Sequence, residues 1–159
     1  MFSFINGNIL TRNTDPHIQT VVCHQVNCRG VMGSGLAKQV REQIPTAFNQ
    51  YKALCNTHTL PLLGTIQAID AIRTHGFVLV NCFGQDGYGR DKQYTDYEAL
   101  RSCLMAVRKQ FPNAVIRIPF GMGCGLGGGD WMKVLGIISN TVGDMPVEIW
   151  RLPASGGKP

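Results

Sequence analysis

The residues best suited to chemistry in this chain are those with almost no side chain. Nineteen glycines occur in 159 residues, gathered at 30 to 35, 84 to 89 and 121 to 129. Bare main chain at that density lets a ligand approach the backbone closely. The first run, Val26-Asn-Cys-Arg-Gly-Val-Met-Gly-Ser-Gly-Leu-Ala37, passes from strand-like into helix-like sequence. There the unpaired N–H groups and positive dipole end of a helix beginning near Ser34 suit a phosphate. The second, Ile118-Pro-Phe-Gly-Met-Gly-Cys-Gly-Leu-Gly-Gly-Gly-Asp-Trp131, holds six glycines between 121 and 129, more than one turn requires. Two such loops at one sheet edge could grip a diphosphate from both sides with main-chain donors alone. The order Gly30-x-x-Gly33-x-Gly35 of the first run is not the Gly-x-Gly-x-x-Gly of a dinucleotide fold, and no Gly-Lys-Ser/Thr loop occurs.

Side chains able to move protons lie near the same loops. His24 stands in the strand that feeds the first loop and can position or deprotonate a water, or protonate a leaving oxygen. A buried strand histidine bonded to its neighbours is the other reading. The loop Phe83-Gly-Gln-Asp-Gly-Tyr-Gly-Arg-Asp-Lys-Gln-Tyr94 offers Asp86 and Asp91 as carboxylates, Arg90 and Lys92 as cations and Tyr88 as a platform. Nothing in the sequence chooses between the two aspartates. Cys124 could be a reactive thiol, although backbone contact with a ligand explains its position equally well. His17, His58 and His75 read as surface residues, and Trp131 and Trp150 as packing residues.

The elements that must carry these groups follow from periodicity. Apolar, β-branched runs at Phe2 to Ile5, Thr20 to Val26, Thr65 to Ile69, Phe77 to Cys82, Val115 to Pro119 and Val147 to Leu152 read as strands. Helical spacing marks Gly35 to Gln43, Thr46 to Thr57, Thr95 to Gln110 and Asp130 to Val142, with Thr95 or Asp96 capping the third and Asp130 the fourth. This alternation predicts a three-layer α/β/α sandwich around a six-stranded, mostly parallel mixed sheet. All three glycine clusters then follow strands at their carboxyl ends, where such sheets bind ligands.

Composition narrows the class further. The chain is 44% hydrophobic and 16% charged, too apolar for disorder, and no apolar run reaches the ~20 residues of a bilayer span. We read one domain over 1 to 152 with a flexible tail at 153 to 159. The N-terminus lacks a secretory pattern, so a cytoplasmic, monomeric protein without membrane contact is expected, its six cysteines reduced. No Cys-x-x-Cys occurs, and neither a cofactor nor a metal is expected. A net charge of +5 favours an anionic partner, without the dense basic run of a nucleic-acid patch.

Asn6-Gly-Asn-Ile-Leu10, His24-Gln-Val-Asn-Cys-Arg-Gly-Val-Met-Gly-Ser-Gly-Leu-Ala37 and Pro119-Phe-Gly-Met-Gly-Cys-Gly-Leu-Gly-Gly-Gly-Asp-Trp131 together resemble a macrodomain, the ADP-ribose-binding α/β/α module. The likeness runs through nearly the whole chain, closest to the branch with the yeast ADP-ribose-1''-phosphate phosphatase, the terminal ADP-ribose protein glycohydrolase and small phage and bacterial proteins. It implies that Asn8 and the Ile9 backbone meet adenine and that Asn27 contacts the distal ribose. It also implies that Gly33, Ser34 and Gly35 face the diphosphate, with Gly123, Cys124, Gly125 and Leu126 closing over it. Many macrodomains have Asp where Asn8 stands, so adenine is met here without a charge. The glycohydrolase branch uses a lysine at the end of the middle strand and an aspartate after Gly-Cys-Gly-Leu; here Gly84 and Gly127 follow those segments, which argues against a lysine adduct. His24-x-x-Asn27-Cys28 matches the phosphatase pattern, in which the equivalent histidine is implicated in hydrolysis. The resemblance therefore implies a hydrolase of ADP-ribose derivatives, with removal of the 1''-phosphate first and de-ADP-ribosylation of protein or nucleic acid second. The alternative is a non-catalytic ADP-ribose reader.

Overall fold

A computed structural model describes residues 2–153. The expected flexibility of the tail therefore falls, from residue 154 onward, outside the described residues. The elements run β1 (Phe2–Asn6), β2 (Thr20–Val26), α1 (Gly35–Gln43), α2 (Pro45–Thr57), β3 (Ile66–Ala71), α3 (Ile72–His75), β4 (Phe77–Phe83), α4 (Tyr97–Gln110), β5 (Val115–Pro119), α5 (Trp131–Val142) and β6 (Val147–Arg151). They form one six-stranded sheet in the order β1-β6-β5-β2-β4-β3. Every neighbouring pair is parallel except β3 with β4.

Alternation along the strands sends side chains into two cores. Val21 and Cys23 of β2, with Val80 and Cys82 of β4, meet Leu100, Leu104 and Val107 of α4 and Val134 and Ile138 of α5. Val22 and Val26, with Leu79 and Phe83, meet Val40 of α1 and Ala47 and Tyr51 of α2 on the opposite face. A sheet covered on both sides needs near-continuous apolar central strands, as β2 and β4 are. All six cysteines are free thiols, and Cys23, Cys82 and Cys103 are buried.

Sequence periodicity finds the strands and long helices to within two residues. It misses α3, whose single turn is too short to show a helical period. Gly76 ends that turn at φ +73°, where an added Cβ would run into the Asn13 carbonyl oxygen, so only glycine fits. Asp96, rather than Thr95, caps α4 by accepting from Ala99 N at 3.0 Å, and Asp130 caps α5 by accepting from Met132 N at 2.9 Å. No helix among the described residues is long and apolar enough to cross a membrane.

For the site, the order of the central strands matters most. The loops after β5, β2 and β4 carry the three glycine clusters, and those strands are consecutive and parallel. Their carboxyl ends therefore bring all three loops to one rim.

Candidate functional site

A cleft of about 830 Å³ opens at that rim, bordered by Gly33, Ser34 and Gly35 on one side and Gly121, Gly123, Gly125 and Leu126 on the other. His24 and Asn27 form part of its wall, and Tyr88 and Arg90 reach it from the loop after β4. A second hollow of about 320 Å³ adjoins it through Gly35, Leu36 and Phe120 and takes in Asn8, Ile9 and Trp150.

The two glycine loops face this cleft with unused donors. Ser34 is the residue before α1 and makes no side-chain cap bond, so the first-turn N–H groups of α1 stay open. Among the described residues, the N–H groups of Gly33 and Ser34 donate to no protein acceptor. The same holds across the cleft for Gly123, Gly125 and Leu126. The second loop's carbonyls are spent inward instead. Gly123 O accepts from Gly129 N at 2.9 Å and Thr95 Oγ1 at 2.6 Å, and Gly127 O accepts from Tyr94 N at 2.8 Å and Thr95 N at 3.0 Å. Donors outward and acceptors inward make a main-chain anion cradle.

Cys124 departs from its neighbours. Its N–H donates to Gly121 O at 2.8 Å and its thiol to Met122 O at 3.3 Å, while the side chain packs on the α4/α5 core. Burial, then Asp130, pushes that thiol's pKa up, away from thiolate chemistry.

Asn27 builds the first loop. Its Oδ1 accepts from Arg29 N at 2.9 Å and from the buried Tyr51 hydroxyl at 2.8 Å, and its Nδ2 donates to Val31 O at 2.8 Å. One Nδ2 hydrogen remains for a ligand. Asn8 likewise accepts from Leu10 N at 2.9 Å through Oδ1, so Nδ2 is its unengaged group. Beside it the Ile9 N–H has no protein acceptor among the described residues.

Arg117 on β5 holds this second hollow in shape through partners that no local stretch of sequence shows. It is buried, with Nη1 donating to Ile9 O at 3.0 Å and Thr11 O at 2.7 Å. Its guanidinium lies 4.6 Å from the Trp150 ring centre and 3.7 Å from Glu148. Arg117→Met leaves the Ile9 and Thr11 carbonyls without their donor, while Glu148 keeps its bond from Trp150 Nε1, so a loss of about 1–3 kcal/mol is expected in urea unfolding. Unchanged stability would mean the loop is held elsewhere.

His24 is buried in the cleft wall, its Nε2 2.5 Å from Asn81 Oδ1. Burial lowers its pKa to about 4, against an upward pull from the Asn81 hydrogen bond. The unfolded chain would take up that proton near pH 6.5. Between those values the unfolded state binds the extra proton, so stability falls as pH drops from about 6.5 to about 4, by ~3 kcal/mol. In urea titrations across that range a His24→Gln protein should lack this part of the slope; an identical slope would refute it.

The aspartates are placed differently. Asp86 is exposed and paired with Arg29 at 3.3 Å, and Asp91 is exposed and accepts from Tyr94 Oη at 2.7 Å. Neither borders the cleft, whereas their loop neighbours Gln85, Tyr88 and Arg90 do. Gln25, also unforeseen, donates to Gln85 Oε1 and Thr95 Oγ1, each at 2.8 Å, and ties the end of β2 to the loops after β4 and β5. A side chain at Gly84 would run into the Gln25 carboxamide, and one at Gly127 would come within 2.7 Å of Gly123 O. The aspartate of the glycohydrolase pattern thus has no room at position 127, and a lysine at position 84 would have to displace the Gln25 side chain. His17 and His58 are exposed, and Trp131 packs against Phe120 with ring centres 5.0 Å apart. Among the described residues no group of three His, Cys, Asp or Glu side chains could hold a metal ion.

Comparison with known proteins decides the family. The Macro domain family model matches residues 23–138. This chain is a macrodomain. It is 27% identical over 159 residues to the DNA ADP-ribosyl glycohydrolase of Mycobacterium tuberculosis, covering 99% of this chain and 43% of that protein. This macrodomain therefore spans less than half the length of that relative. It is 20% identical over 176 residues to the ADP-ribose 1''-phosphate phosphatase of Saccharomyces cerevisiae, covering 94% of this chain and 98% of that one. Among solved structures, the macrodomain of Mycobacterium tuberculosis DarG superposes with a TM-score of 0.77 at 23% identity, covering 97% and 99% of the two chains.

Proposed function

We propose that this macrodomain binds ADP-ribose and hydrolyses its derivatives, removing the 1''-phosphate in preference to cleaving ADP-ribose from DNA or protein. The reading is carried by the opposed rows of free N–H groups at Gly33–Ser34–Gly35 and Gly123–Gly125–Leu126, which match the two faces of a diphosphate. The adjoining hollow at Asn8, Ile9 and Phe120 accommodates the adenine, with the Asn8 carboxamide and the Ile9 N–H as donors. Asn27 and His24 lie in the wall of the main cleft, where the distal ribose would extend.

In the hydrolytic step, His24 takes a proton from water as the water oxygen bonds to phosphorus. The phosphorus bond to the 1'' oxygen breaks, the electron pair stays on that oxygen, and solvent supplies its proton. ADP-ribose and inorganic phosphate are the products. Arg90, at the mouth of the cleft, supplies charge for the phosphate. The relatives named as ADP-ribosyl glycohydrolase and as ADP-ribose 1''-phosphate phosphatase support the same substrate class.

A non-catalytic reader is favoured by one observation, that neither Asp86 nor Asp91 borders the cleft to assist His24. Calorimetric titration with ADP-ribose, followed by phosphate release from ADP-ribose-1''-phosphate and release of ADP-ribose from modified DNA, separates the readings. Binding with neither release makes the protein a reader. Absence of binding removes both.

A further inference from the structure

On the sheet face covered by α1 and α2, three polar side chains stand in one lateral row. His24 of β2 is in register with Asn81 of β4, and Asn81 with Gln67 of β3. Their neighbours on that face, Val22, Val26, Leu79, Phe83 and Ile69, are apolar and buried. Gln67, on the edge strand, is half-buried, whereas His24 and Asn81 are buried among them and have to find partners inside the protein. Each does. His24 Nε2 lies 2.5 Å from Asn81 Oδ1, Asn81 Nδ2 donates to Gln67 Oε1 at 3.0 Å, and Gln67 Nε2 donates to the main-chain carbonyl of Gln50 on α2 at 3.1 Å.

The last link fixes the direction of the whole row. A main-chain carbonyl can only accept, so Gln67 must turn its NH₂ to α2 and its oxygen to β4. An amide oxygen can only accept as well, so Asn81 turns its NH₂ to β3 and its oxygen to β2. Facing that oxygen, His24 Nε2 must carry the proton. In the neutral ring the lone pair then sits on Nδ1.

We infer that Asn81 and Gln67 are positioning residues that hold His24 in its Nε2–H tautomer, so that toward a bound substrate the ring is a proton acceptor and not a donor. This rests on the hydrolase reading above and chooses between the two roles open to His24, assigning it to water rather than to the leaving oxygen. Among the described residues His24 makes no ion pair, although Arg90 of the loop after β4 borders the same cleft. Of the titratable and charged groups on the elements packed against this face, Arg117 of β5 is engaged by Ile9, Thr11 and Glu148, and Tyr51 of α2 donates to Asn27. Cys55 of α2 has its thiol pKa raised by burial, and Lys38, Arg41 and Glu42 of α1 and Lys52 of α2 are exposed.

Long-range proton–nitrogen correlation spectra of the ligand-free protein test this, with the His24 signals assigned by their loss in His24→Gln. At pH 7 the wild type should show the Nε2–H pattern and keep it down to pH 5. Asn81→Asp puts a carboxylate beside Nε2, so His24 should stay protonated to higher pH, and the acid limb of the kcat profile should move up by at least about one pH unit, with KM changing far less. Gln67→Leu, on the edge strand, frees Asn81 to turn over, and both tautomers should appear. An Nδ1–H pattern in the wild type overturns the inference, as does Asn81→Asp with unaltered titration. Should Asn81→Asp fail to fold, the wild-type and Gln67→Leu spectra decide alone. These spectra need no substrate, so absence of turnover would sink the hydrolase reading and leave the tautomer result standing.

Discussion

Gly33→Val and Gly125→Val proteins are expected to fold like the parent and to bind ADP-ribose at least about 100-fold more weakly in calorimetric titration. These two glycines differ from their neighbours in what a side chain would meet. At Gly125 a Cβ meets nothing within 4 Å, and at Gly33 only Val31 Cγ1 at 3.7 Å. Neither residue has a left-handed backbone. Substitution there leaves the protein's own contacts in place and fills space beside the free N–H groups. Displacing a diphosphate from those donors by one side chain is an overpacking cost of about 3 kcal/mol, or roughly two decades in affinity. Gly123 and Gly127 could not serve for this test, because added atoms press on Gln25, Thr95 and the loop itself. Gly136→Ala, in the exposed middle of α5, is the control and should keep full affinity. Tight binding retained by both valine variants would refute the cradle.

The parts of this site that could be read from the sequence are those written in main-chain grammar. Glycine density after three apolar runs is a local signal, and the parallel order of β5, β2 and β4 turns three local signals into one rim. Asn8, Ile9, Asn27 and the two loops lie at that rim, although Cys124 is turned into the core and Asn27 is largely spent on holding its own loop. Side-chain chemistry was less legible. The loop after β4 shows four charged residues between 83 and 94, and charge drew attention to Asp86 and Asp91. The fold instead turns Gln85, Tyr88 and Arg90 to the cleft and leaves the aspartates with Arg29 and Tyr94.

Asn81, Gln67, Gln25 and Arg117 escaped for a different reason. Each acts through a partner on another strand or loop, with sequence separations of 14 to 108 residues. No local window holds such a pairing. A weaker clue did exist. Asn81 interrupts the apolar run Val78–Phe83 of a strand buried on both faces, and Arg117 sits between Ile116 and Ile118. A polar residue inside such a run must be paired, which marks it as part of a network without naming its partner.

Replacing His24 with alanine is expected to lower phosphate release from ADP-ribose-1''-phosphate by about 10²- to 10⁴-fold, the usual contribution of a positioned general base. ADP-ribose affinity should change little, since in the proposed binding mode the glycine loops and not the imidazole hold the diphosphate. The same substitution leaves Asn81 Oδ1 buried without a donor, so a loss of about 1–3 kcal/mol in stability is expected as well. A slow variant could then be slow merely because it is loose. The double variant His24→Ala, Asn81→Leu separates the two effects. Removing both polar partners takes away the buried orphaned oxygen, and stability should recover in part, because the group then left without its donor, Gln67 Oε1, lies on the half-buried edge strand within reach of water. Turnover should stay lost. Recovery of turnover together with stability would show that His24 only supports the wall of the cleft, and the chemistry would have to be sought among Gln85, Tyr88 and Arg90.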